Sequence, residues 1–200
     1  MVKITIFVEG GGDSKELQAR CREGFRKLLE NCGYEGRMLK IVACGARNAA
    51  FEDFRNALRW VKGREFVAMM IDSEQPLGNL EATWQHLAQH DRWQKPSGVL
   101  DAQVLFMTTC METWIVADHS AMKKHYGHAL KVAKLPPLQE LETRDRHDVL
   151  DSLERATQDC SNAYRKGKRS FAVLATLSPD TLQIHLPSFA RTRRILDERL

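Results

Sequence analysis

Two apolar runs in this chain end on acidic residues. Ile4-Thr5-Ile6-Phe7-Val8 stops at Glu9, and Asp13 follows four positions later, beyond the turn Gly10-Gly11-Gly12. Phe66 to Ile71 stops at Asp72, with Glu74 two residues on. Carboxylate oxygens are hard donors of the kind that bind Mg2+ or Mn2+, together with water. Gathered without a cation they would repel one another and raise each other's pKa values. A divalent ion removes that cost. Asp13 has a second reading: it could cap the next helix, with Glu16 completing a capping box.

The elements must bring these acids together. Val2 to Val8, Met38 to Cys44, Phe66 to Ile71 and Gln103 to Met107 read as strands. The third is apolar without alternation, as suits a strand covered on both faces. Between them lie helical patterns: residues 15–32, with Leu17, Cys21, Phe25, Leu28 and Cys32 in spacing and Gly33 at the end, and Phe51, Phe54, Leu58 and Val61, closed by Gly63. Strands alternating with helices imply a mostly parallel sheet flanked by helices, an α/β fold whose C-terminal strand ends form one edge. Glu9 and Asp72 would meet there. Glu74 would share a face with Asp72 if the strand continued.

Residues 75–102 are polar and read as an excursion over the sheet edge, with a short helix near 80–89. Met111 to Ala117 reads as the helix after the fourth strand. From Lys131 the character changes, with Pro136-Pro137, a helix over 148–156, a basic loop Arg165-Lys166-Gly167-Lys168-Arg169, and a last helix from Pro187. The expected organisation is a core over 1–130 and a helical C-terminal extension over 131–200 packed on it.

Composition narrows the function classes. The chain has 200 residues, 43% of them apolar, enough to bury a core, which excludes a disordered tail or a disulfide-stapled miniprotein. Net charge is +4, so a polyanionic partner is allowed and not required. No apolar run of about 18 residues occurs, so no membrane span is expected. The five cysteines are scattered with no CxxC pair and fit the core of a cytoplasmic protein. His119, His125 and His128 read as surface histidines. A phosphate loop of the GxxxxGK[ST] type does not occur. GxGxxG fails because Lys15 stands at its last glycine, so the glycine run reads as a sharp backbone turn.

Glu9-Gly-Gly-Gly-Asp13 after the first strand, with Asp72-Ser73-Glu74 after the third, resembles the Toprim pattern, in its overcoming-lysogenization-defect nuclease version. Val8 to Asp13, Ile41-Val42-Ala43-Cys44-Gly45-Ala46-Arg47-Asn48, Cys110-Met111-Glu112-Thr113-Trp114 and Lys166 to Phe171 resemble a Toprim-like bacterial family often encoded beside an ATPase. The resemblance implies a Toprim-like fold in which Glu9, Asp72 and Glu74 are catalytic and, with Asp13 and Glu112, hold Mg2+ or Mn2+. Glu74 stands where the pattern has Asp. Glu112 also reads as a helix-start acid favoured by the dipole. The activity implied is metal-dependent phosphodiester hydrolysis.

A nearby cation would offset charge on the scissile phosphate, with Lys168, Lys166 and Arg47 as candidates. Residues 160–196 carry seven Lys or Arg against one Asp. Arg47, Lys166, Lys168 and Arg169 would therefore contact nucleic acid, the alternative being a solvated basic face. The expected protein is a cytoplasmic nuclease, with an ATPase partner in anti-phage defence; a homo-oligomer is left open. Two other readings stand beside it: a non-catalytic binding module and a small-molecule phosphotransferase.

Overall fold

The computed structural model describes residues 3–37, 39–61 and 65–200, the side chain of Lys168 excepted. The expected contributions of Val2, Met38 and Gly63 to strand starts and a helix end lie outside the described residues.

Four strands, β1 (Lys3–Val8), β2 (Leu39–Ala43), β3 (Glu65–Asp72) and β4 (Val104–Met107), form one sheet in the order β2-β1-β3-β4. Every neighbouring pair is parallel. The protein is thus α/β with an all-parallel central sheet. Val8 pairs with Ala43 on one side and Met70 on the other, and Asp72 pairs with Met107, so the strands run out together along one edge.

Side chains alternate across the sheet as the pleat requires. Ile4, Ile6 and Val8, Phe66, Ala68 and Met70, and Leu105 and Met107 face one core. Phe7, Val67, Met69, Ile71, Val104 and Phe106 face the other. β3 is buried on both faces, which is why its sequence shows no polar alternation.

The second core is covered by α2 (Arg47–Leu58) and α3 (Thr83–His90), through Ala50, Phe51, Phe54, Trp84 and Leu87. Residues 75–102 therefore do not run over the sheet edge as the sequence suggested. Trp84, Leu87 and Val99 tie the segment to a sheet face, where apolar burial outweighs its polar average.

The first core is covered by α1 (Lys15–Leu29), α4 (Met111–Ala117) and helices from the second half of the chain. Ser14, not Asp13, caps α1: its hydroxyl accepts from Leu17 N–H. The helix closes in a wide turn over Glu30–Tyr34, with Gly33 at φ 92°. The later helices are α5 (His119–Tyr126), α6 (Arg146–Thr157), α7 (Lys168–Leu174), α8 (Pro179–His185) and α9 (Pro187–Asp197). Three of them, α5, α7 and α8, were not legible in the sequence. Residues from all five belong to the same core as β1 and β3. Among the described residues no helix is long and apolar enough to cross a membrane.

α7 lies against α1 at very short range. A Cβ on Gly24 would sit 2.8 Å from the Phe171 carbonyl oxygen and 3.1 Å from Phe171 Cβ. Only glycine lets these backbones approach so closely. Gly24→Val forces the helices apart, and overpacking of this kind costs about 1–3 kcal/mol. Urea unfolding should show a lower midpoint at unchanged slope.

Candidate active site

Glu9 follows the last residue of β1, and its N–H donates to Met70 O of β3 (2.9 Å). The chain then turns through three glycines. Gly11, at φ +89°, has no room for a side chain: a Cβ would lie 2.8 Å from Gln18 Cα. Gly10 exchanges two backbone hydrogen bonds of 2.9 Å with Gly45. Gly45, at φ +76°, would drive a Cβ to 2.8 Å from the Gly12 carbonyl oxygen. This contact draws the turn before α2 against the glycine run and delivers Arg47, the first residue of α2, to Glu9.

Glu9 and Asp72 form a direct pair. The Asp72 N–H donates to Glu9 Oε2 (3.2 Å), and Arg47 Nη1 donates to the same oxygen (3.4 Å) and to the Asp72 carbonyl. On the other face of the sheet, Met111 N–H at the start of α4 donates to Asp72 Oδ1 (2.8 Å). Each acid is therefore held from a different side of the sheet.

Burial raises the Glu9 carboxyl above its ordinary value, against the pull of Arg47, and Glu74 adds to the rise. Asp72 is pushed up further, first by burial and then by the charges of Glu9 and Glu112; Lys166 and the Met111 N–H only partly oppose this. The edge thus disfavours the charged form of both carboxyls.

A pocket of about 130 Å3 opens on this pair, lined by Glu9, Asp72, Glu112, Lys166, Ser170 and Phe171. Glu112 is 2% exposed and accepts the Tyr164 hydroxyl proton. Burial and the Glu112 charge push the Tyr164 hydroxyl far up, so it stays a donor. Lys166 is exposed at the rim. Gly167, at φ +98°, opens α7, with Ser170 Oγ accepting from its N–H (3.1 Å).

The other expected site residues lie elsewhere. β3 stops at Asp72, and Glu74 adopts φ 63°, so the two do not share a face. Glu74 turns to Arg146, with His90 Nε2 3.5 Å away. Asp13 is exposed and is not in the pocket wall. The Arg47 side chain is only 12% exposed, so it is an internal cation rather than a surface contact for a polyanion. Arg169 is half-buried and donates to Ala163 O (2.7 Å), bracing its own loop. The Lys168 side chain lies outside the described residues.

The histidines expected at the surface divide. His128 is exposed, while His119 and His125 are half-buried and pushed down chiefly by burial. Nothing in the sequence marked Asp91, Tyr164 or Arg146. Their partners are 44, 52 and 72 positions away, so no local spacing marks them.

Among the described residues no three His, Cys, Asp or Glu side chains form a ready cage for a metal ion. Mg2+ does not need one: it keeps several waters and uses one or two carboxylates plus substrate phosphate. Glu9 and Asp72, both raised chiefly by burial and facing one pocket, fit that mode. A larger cavity of about 460 Å3 lies near residues 138–143 and has none of these carboxylates in its wall. Its half-buried acid, Glu142, pushed up to about 7 by burial, is occupied by hydrogen bonds from Ser188 at the start of α9.

Residues 8–196 match the family described as Domain of unknown function (DUF4276), and the chain belongs to that family. No curated protein and no solved structure matches it.

The raised carboxyls give a signed pH dependence. An acid whose folded pKa lies above its unfolded value binds its proton more tightly when folded. Its contribution to stability is full below the unfolded pKa and is lost as pH rises through the ordinary carboxyl range toward the folded value. Asn at 72 keeps the Oδ1 acceptor for Met111 N–H and removes the charge. Without divalent cations, Asp72→Asn should unfold at higher temperature than wild type near neutral pH. It should also lose much of the decline in stability with rising pH. Thermal midpoints from pH 4 to 8 check both.

Proposed function

We propose that this protein is a Mg2+- or Mn2+-dependent nuclease of Toprim type, acting on phosphodiester bonds of DNA or RNA. The observation that carries this reading is the Glu9–Asp72 pair. Two carboxyls, joined by the Asp72 N–H bond to Glu9, sit at the strand ends of a parallel sheet, both raised by burial and Asp72 further by the Glu9 charge, and face a pocket whose described wall includes Lys166. The Toprim resemblance of Glu9, Asp72 and their flanking residues supports the same assignment.

Glu9 and Asp72 would hold the ion, with Glu112 as a further acceptor in the wall. When bound, the ion would act as a Lewis acid on a phosphoryl oxygen and lower the pKa of a bound water. Arg47 and the Asp72 N–H both engage Glu9 Oε2 and fix its direction. Met111 N–H does the same for Asp72 Oδ1. The Tyr164 hydroxyl keeps Glu112 oriented. Lys166 attracts a phosphate to the rim and offsets its charge. Among the described side chains of the basic residues marked in the sequence, Lys166 is both exposed and in the pocket wall; it carries the nucleic-acid contact in this reading.

Pocket size favours a polymer over a small phosphate ester. Sites that enclose a small molecule hold about 300–1,000 Å3. The 130 Å3 here suits a phosphate and an ion, with the rest of the substrate outside. The wider setting, a cytoplasmic defence module working with an ATPase, follows from the resemblance.

The test is nicking of plasmid DNA and cleavage of a structured RNA with Mg2+ or Mn2+. Wild type should cut one of them, and Asp72→Ala should lose about 100-fold or more, as removal of a principal electrostatic group does. Cutting that survives Asp72→Ala would overturn the assignment. So would turnover confined to small phosphate esters, which would favour the phosphotransferase.

A further inference from the structure

Arg47 has the sequence position of a phosphate contact, yet its guanidinium is fixed inside the fold. Nε donates to Asp91 Oδ1 at 2.6 Å and Nη2 to Asp91 Oδ2 at 2.8 Å, a two-pronged pair. Asp91 directly follows α3 and is 9% exposed at its side chain. The Trp93 ring stands 5.4 Å from the guanidinium carbon and is itself stacked on Phe51 at 4.2 Å. With these directions set, Nη1 reaches Glu9 Oε2 and the Asp72 carbonyl. Burial opposes charge on Asp91, and Arg47 and His90 more than offset it, holding the carboxyl below its usual range.

A bare guanidinium beside Glu9 would repel a cation at the same edge. Paired with Asp91 it carries little net charge. We infer that Asp91 is a positioning residue for the Glu9–Asp72 pair: it orients Arg47 and cancels its charge, so that Arg47 can fix Glu9 without opposing a divalent ion. The inference rests on the metal-site reading above. It assigns a role to a residue that touches neither carboxylate and lies in the polar segment 75–102. Loss of Asp91 frees Arg47 to move and leaves its charge uncompensated. Both effects weaken cation binding.

The experiment is Mn2+ titration of the full metal-free chain, read by the electron paramagnetic resonance signal of free Mn2+, with folding checked by circular dichroism. Partners that orient metal ligands typically contribute 10–100-fold in affinity, and Asp91→Asn should weaken binding by that factor. Arg47→Lys keeps the charge and loses the fork. It should weaken binding similarly and stands as the second variant if Asp91→Asn does not fold. Because Asp91 acts through Arg47, adding Asp91→Asn to Arg47→Lys should cost little more. Unchanged or tighter binding by folded Asp91→Asn overturns the inference and leaves the metal site standing. Fully additive losses overturn it too, since Asp91 would then act by another route. If wild type binds no Mn2+, or binds it equally after Asp72→Asn, the metal-site reading fails and this inference fails with it.

Discussion

Glu9 and Asp72 meet where a parallel sheet runs out, the Asp72 N–H bonded to the Glu9 carboxylate, and much of the surrounding structure holds them there. Burying a charge without compensation is costly, and burying two together is more so. Glu9 is held through Arg47 from the α2 side, and Asp72 through Met111 N–H from the α4 side. The glycine contact between Gly10 and Gly45 brings the first of these supports into reach. The close packing of α7 on α1 carries the pocket's last wall into place. The compensation stays incomplete, and both carboxyls are raised above their ordinary values.

The ionisable groups around the edge form a chain of alternating acids and bases. Glu9 contacts Arg47, Arg47 contacts Asp91, Asp91 lies 3.3 Å from His90, His90 lies 3.5 Å from Glu74, and Glu74 pairs with Arg146. Glu74 therefore belongs to the support rather than to the pocket. Ending β3 at Asp72 is what separates the two acids. Had the strand run two residues further, both would have pointed the same way, and Arg146 would have lost its anion.

The strands were readable because their apolar runs follow from burial: β3 on both faces, β1 with Ile4, Ile6 and Val8 on one face and Phe7 on the other. Glu9 and Asp72 were readable because an acid directly after such a run must sit at the sheet edge. Helix α7 was hidden by the basic tract at its start, since Arg165 to Arg169 reads as a loop until Phe171, Val173 and Leu174 are seen to be buried. Segment 75–102 was misjudged because a few large side chains, Trp84 above all, decide its position. Arg47 was taken for a surface cation because its partner, Asp91, is set by the meeting of α2 and α3, which no spacing within either helix reveals.

The pocket is assembled from both ends of the chain. Glu9 comes from the first strand, while Tyr164, Lys166, Ser170 and Phe171 come from the last quarter. During synthesis the sheet, with its acidic pair, can form well before these residues leave the ribosome. A nascent chain would present Glu9 and Asp72 with neither the rim lysine nor the Glu112 anchor. The complete pocket thus closes only once residues 164–171 have packed onto a sheet whose acidic edge is already in place.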